Sequence, residues 1–391
     1  MRRPVLAAVF FWLLSALPAW ADREAMWKEI LAKPSTAVAA AFDEKGRLWV
    51  VNYEKRHLYA RHSDDLGKTM SPPVRINTAP EDMLGDSENR PKLIVRDESL
   101  FVSYTAGLTR PMTGDIRFSR SSDGGKTFSE PITVNDNREI ISHRFDALTV
   151  GADGRVALAW LDKRDIEAAQ RNGTQYKGAA VYVAESVDGG LSFAPNRKLA
   201  DHTCECCRVG LAADRDGMPV AFWRHIFDGG IRDFALARFD EPARRATEDG
   251  WKIDGCPHHG GDLSIDSRGA RHLAWFTGAP GNPGLFYRRI VGEQMTVAMP
   301  FGDLDAQPGH PTVLAQEGNV FLAWREFDGR QMTIKTMTSR DRGDTWSRAA
   351  KRAVTAGAAD YPLLLAGRGK VWLAWNTASE GFRLFDLETE E

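Results

Sequence analysis

The sequence predicts an all-β chain folded as a β-propeller of four-stranded antiparallel blades, and three regularities predict it. One short apolar segment recurs seven times: LWVVNY from Leu48, LFVSYT from Leu100, VALAWL from Val156, PVAFWR from Pro219, RHLAWF from Arg271, VFLAWR from Val320 and VWLAWN from Val371. The starts are 52, 56, 63, 52, 49 and 51 residues apart, a period that suits blades and not helical repeats. A shorter apolar strand with a Gly-bearing turn precedes each segment, and an acidic turn motif recurs later in the period.

The first two strands of each blade are legible in stretches such as LTVGADGRVALAW, LAADRDGMPVAFW and LSIDSRGARHLAW. Asp-Gly and Arg-Gly supply the positive φ that tight hairpins need. In VALAW small and large residues alternate, as expected of a strand pressed between two neighbouring blades. Two stacked sheets of a sandwich would not produce one period of about 50 residues along the whole chain.

The later motif is Ser-x-Asp-x-Gly-x-Thr/Ser-aromatic. It appears as SSDGGKTF (Ser121 to Phe128), SVDGGLSF (Ser186 to Phe193) and SRDRGDTW (Ser339 to Trp346), with a weaker copy, SDDLGKTM, from Ser63 to Met70. These turns resemble the Asp-boxes, or BNR repeats, of the sialidase (neuraminidase) superfamily. The resemblance implies that Asp123, Asp188 and Asp341 cap their own hairpins and that the aromatic residue wedges between blades. Repeat count gives seven blades, whereas sialidases of this type resemble six-bladed propellers. The last repeat, from Tyr361 to Leu387, has room for three strands, and residues before Ser35 are expected to close it unless the first repeat is an addition to six.

The chain opens with Arg2 and Arg3, an apolar run from Val5 to Leu17, and Ala19-Trp20-Ala21 before Asp22. That pattern reads as a signal peptide over residues 1–21, with the propeller over 22–391 and a periplasmic or secreted destination expected. No membrane span is expected after cleavage, because the run is too short and no other stretch is long enough. With 391 residues, 43% hydrophobic, 27% charged and net charge −2, the chain is large enough for a sizeable core and gives no reason to expect nucleic acid as a partner.

Strand alternation in a propeller sends the segments that lead into each first strand, and the loops that follow each second strand, to one face. The acidic turns fall on the other. The first face should therefore gather Arg90, Arg144, Arg208, Cys204 to Cys207, Cys256 to Asp262, His310 and Tyr361. After the second strands come Arg110, Arg164, Arg224, Arg325 and Glu326. Arginine forks grip carboxylate or phosphate bidentately, so a mouth ringed by Arg90, Arg144, Arg208, Arg224 and Arg325 is expected to take a small anionic or glycan ligand. The competing use of each is a pair with a local carboxylate such as Asp146, Asp162 or Glu326.

The sialidase resemblance adds roles. Members hold a sialic acid carboxylate with three arginines, use a Tyr–Glu pair as nucleophile and an Asp as acid/base. Asn89-Arg90-Pro91 is similar to the family's Phe-Arg-Ile-Pro signature, which carries over Arg90, and Tyr361 resembles the nucleophile in placement. Glu326 would assist it, Asp115 or Asp86 would be the acid, and Arg224 and Arg325 would complete the grip, with His310 nearby. The pattern departs where CPHHGG and PGHP stand in place of further arginines.

The four cysteines admit three readings. Two disulfides, one joining Cys256 to Cys204, Cys206 or Cys207, would staple adjacent blades. Alternatively Cys204, Cys206, Cys207 and Cys256 with His258 and His259 hold copper or zinc, with His143 and His310 reaching across. Cys204 and Cys206 point to one side if their segment is extended. The third reading is one disulfide and a reactive thiol next to His258.

Overall fold

The computed structural model describes residues 35–388. The expected leader, residues 1–21, and the segment expected to complete the last blade lie outside the described residues. Seven antiparallel sheets follow one another: residues 38–75, 92–133, 143–203, 210–245, 262–301, 309–355 and 363–386. Five have four strands, the fifth gains an extra strand (Met299–Phe301), and the last has three. The fold is thus a seven-bladed propeller, as the repeat count predicts. The six-bladed alternative does not hold.

Period-2 alternation explains why the blades pack. In Val156–Asp162, the side chains of Val156, Leu158 and Trp160 enter the core between blades two and three. Ala157, Ala159 and Leu161 face the core between blades three and four. The small alanine face leaves room for Trp223 of the next blade, which is fully buried there. Trp160, Trp223, Trp275, Trp324 and Trp375 repeat this placement, each buried to at least 99%. Every seam between neighbouring blades carries its own apolar cluster, so the protein has a segmented core in place of a central one.

Ring closure joins blade seven to blade one. Phe42, Leu48 and Val50 pack with Leu365, Trp372 and Ala374. Asp360, just before the last blade, accepts a hydrogen bond from the Val38 amide at 3.1 Å and pairs with Arg90 at 3.0 Å. One buried carboxylate therefore links the start of blade one, the approach to blade two and blade seven.

The Asp-box turns form as the resemblance implies. Asp123 accepts from the Ser121 hydroxyl (2.8 Å), the Thr127 amide (3.0 Å) and the Thr127 hydroxyl (2.6 Å), and Asp188 and Asp341 repeat the pattern. Phe128, Phe193 and Trp346 pack onto the seam with the preceding blade, while Met70 of the weak copy stays exposed. Gly125, at φ +76°, faces the Trp49 ring so closely that a Cβ would lie 2.3 Å from it, which leaves glycine as the residue for that turn.

Candidate functional site

The mouth is assembled from the segments that lead into first strands. The Cys204–Arg208 segment is a turn and not an extended strand. The alternation expected to bring Cys204 and Cys206 to one side therefore does not apply; the turn instead brings the sulfurs of Cys204, Cys206 and Cys207 together. All three are buried, their sulfurs lie within 4.8 Å of one another, and Cys204 is 3.8 Å from Cys206 and 3.5 Å from Cys207. Cys256 arrives from the approach to blade five and is exposed. The described residues hold no disulfide; all four cysteines are free.

Three arginines surround the sulfurs. Arg232 donates to the Cys204 sulfur at 3.3 Å and, from Nε, to the Ile253 carbonyl at 3.0 Å. Arg224 is fully buried and spends its donors on the carbonyls of Arg232 (2.9 Å), His259 (3.0 Å) and Phe276 (2.6 Å). Arg144 is buried over the Phe145 ring, with Met112 sulfur at 3.5 Å and the Asp86 carboxylate at 3.9 Å. Burial lowers its pKa, partly offset by Asp86 and Cys206.

Hydrogen bonds from Cys206 and Cys207, helped by Arg224 and Arg232, hold the Cys204 thiol far below the usual range. Its partners move the other way: Cys206 is raised by its hydrogen bonds with Cys204 and Cys207, and Cys207 by burial and then Cys204. The Cys204 sulfur thus lies within hydrogen-bonding reach of both neighbouring thiols. A metal with sulfur bonds of about 2.3 Å needs ligand sulfurs on the order of 3.8 Å apart, so the observed spacing and the soft donor set fit copper(I) or zinc.

A second cluster fills the centre of the ring. Glu88, which the sequence reading missed, is buried and accepts from Arg208 Nη1 (2.9 Å) and the Arg208 amide (3.1 Å), with His310 Nδ1 at 2.8 Å. Burial alone would raise Glu88, but Arg208 and His310 outweigh it and hold the carboxyl low. Burial lowers His310 to about 4 and His259 to about 2. The rings of Phe276, His259, His310 and Tyr361 stack in a column with centroid spacings of 4.1, 4.3 and 3.6 Å, and Arg325 caps it 5.3 Å from the Tyr361 centroid.

The parts expected from sialidase chemistry are on this face, but they do not assemble as that chemistry needs. Arg90 is committed to Asp360 and the Tyr361 carbonyl. Arg208 serves Glu88 and Pro311. Glu326 accepts from Trp324 Nε1 (2.8 Å) and the Asp303 amide (3.1 Å), which anchors its own blade. The glutamate acting on Tyr361 is Glu88, and burial followed by that charge raises the phenol pKa, the reverse of activation. Burial would raise Asp115, but hydrogen bonds with His143 and Asn135 hold it below its ordinary value. His143 is buried on the Gly114 carbonyl at 2.9 Å. Arg164 and Arg110 pair with Asp162 and Glu167. Arg325 has no carboxylate partner among the described residues; its Nη1 lies 3.6 Å from the Met332 sulfur. His258 is exposed and His259 half-buried, and neither belongs to the close sulfur group.

No family model matches the chain, and no curated protein matches it. Among solved structures, a polysaccharide lyase, PL25 ulvan lyase bound to -[GlcA(1-4)Rha3S]-, is 12% identical with TM-score 0.54, covering 90% of this chain and 94% of its own. The BP39L lectin from Burkholderia pseudomallei is 9% identical with TM-score 0.58, covering 89% and 98%. The Hadza microbial sialidase Hz136 is 16% identical with TM-score 0.49, covering 85% and 73%. The chain shares its β-propeller fold with the ulvan lyase and the lectin. At these identities the likeness is one of fold.

Proposed function

We propose that the protein binds one soft, thiophilic metal ion, copper(I) or zinc, through Cys204, Cys206 and Cys207 at the mouth of the propeller. One observation carries this reading: three buried thiols converge beside a fully buried guanidinium, Arg224, that has no carboxylate within ion-pair distance among the described residues. A buried cation without a counter-charge is costly, and a thiolate centre supplies that charge. Bound metal would deprotonate the thiols and complete the compensation by Arg224, Arg232 and Arg144. In the periplasmic or secreted setting expected from the leader, metal ligation also keeps adjacent thiols from pairing.

The test is metal content and thiol titration of untagged protein purified under reducing conditions. One equivalent of copper or zinc, lost in Cys207→Ser, is the expected result. No retained or titratable metal would end the reading.

A second reading concerns the mouth as a binding face for an anionic glycan, and Arg325 favours it, since its guanidinium has no carboxylate partner among the described residues and stands over Tyr361. Binding of uronate or sialylated oligosaccharides that is weakened tenfold or more by Arg325→Ala would support it. The absence of binding across both classes would remove it.

A further inference from the structure

Cys256 stands apart from the other three thiols in a way that suggests a different task. It is exposed, and it sits in a segment, Ile253 to His259, that is tied down only at its ends. Arg232 Nε holds the Ile253 carbonyl at 3.0 Å, and Arg224 Nη2 holds the His259 carbonyl at 3.0 Å. Arg232 also donates to the Cys204 sulfur, and the Arg224 carbonyl receives the Cys204 amide. Between the two anchors no backbone hydrogen bond to the residues from Gly255 to His258 is found among the described residues, and His258 projects to solvent at φ +52°. The arm thus carries an exposed thiol and an exposed imidazole, and the arginine that anchors it at Ile253 also donates to the Cys204 sulfur.

The base of the arm opens on a cavity of about 500 Å³ lined in part by Lys177, Arg232, Lys252, Ile253 and Asp254. Three of these are cationic against one acid. A copper(I) ion carried by two thiolates is an anionic complex, and such a cavity favours it beside the arm. Three fixed sulfurs with an unfixed fourth also suit trigonal copper(I) better than zinc, whose structural sites take four held ligands.

We propose that Cys256, with His258 beside it, is an exchange ligand that takes copper(I) from an anionic thiolate complex and passes it to Cys204, Cys206 and Cys207. This rests on the metal reading above and names its ion and its route. Copper stays in the +1 state throughout. Two of the three protein sulfur bonds replace the donor's two, the third raises copper from two-coordinate to three-coordinate, and of the three protons the protein thiols lose, two are taken up by the departing donor thiolates and one by solvent.

The experiment follows copper(I) loading from its glutathione complex and removal by bathocuproine disulfonate, by stopped flow, in the full mature chain. In Cys256→Ser both rates are expected to fall at least about tenfold, while saturating copper still gives one ion per chain. Lys177→Glu with Lys252→Glu should slow loading from the glutathione complex but not from the cationic acetonitrile complex. Circular dichroism checks that the variants fold. Unchanged rates in Cys256→Ser would overturn the exchange role and leave the metal reading standing. Loss of the ion in Cys256→Ser would also overturn it, making Cys256 a holding ligand. A wild-type chain that takes no copper would remove both.

Discussion

Arg232 donates one hydrogen bond to the Cys204 sulfur and another to the Ile253 carbonyl, so a single guanidinium both contacts the sulfur cluster and anchors the arm that bears Cys256. A hydrogen bond to a charged group contributes on the order of 1.5–3 kcal/mol. Arg232→Met should therefore weaken metal affinity by about tenfold or more, read by competition with a chromophoric chelator. An affinity equal to wild type would show that the sulfur charge is compensated elsewhere.

Asp360 joins three blades, and the last blade has no fourth strand among the described residues to help close the ring. Removing one partner of a buried pair typically costs about 3–5 kcal/mol because the other charge is left unpaired. Asp360→Ala should lower the unfolding free energy by that order, with Arg90→Ala close behind. Urea midpoints within experimental error of wild type would contradict the latch.

Stability should fall as pH drops below about 6.5, the ordinary histidine value. His310 has its folded pKa lowered to about 4. A base with a depressed folded pKa contributes stability that is present above the unfolded pKa and lost as pH falls toward the folded one, because the unfolded chain takes up the proton first. Glu88, also held low, acts in the same direction at more acidic pH. Urea unfolding at pH 7.5 and 5.0 should differ by about 2 kcal/mol for each such histidine, and His310→Asn should remove one share of the difference while that of His259, also lowered by burial, stays. A pH-independent wild type would count against it.

Tyr361 sits between His310 and Arg325 with its phenol pKa raised, and Glu326 is bound to Trp324 elsewhere. A fluorogenic sialoside should show no turnover above background, with Tyr361→Phe indistinguishable from wild type. Turnover that is abolished in Tyr361→Phe would restore the nucleophile assignment.

Much of the scaffold was legible because each blade repeats a local rule. Alternation in VALAW, the Asp-Gly turns and the Ser-x-Asp motif act within about ten residues, so each predicts its strand or hairpin without knowledge of the rest. The face on which the cysteines, histidines and arginines gather also followed, since it depends only on strand direction. Individual pairings did not follow. Glu88 lies 120 residues from Arg208 and 222 from His310, and nothing near it in the chain marks it as their common acceptor. The turn that makes Cys207 a third inward thiol is likewise held by contacts outside it, among them the carbonyl of Arg224, at the end of blade four's second strand, which receives the Cys204 amide at 2.9 Å.

By itself the sequence determined the blade number, the hairpin caps and the end of the ring at which the polar residues would meet, because hydrophobic period and turn chemistry are local. Only the tertiary structure decided which arginines are committed to carboxylates or carbonyls and which stand by sulfur. Those choices are settled by burial and by distances between residues that only ring closure brings together.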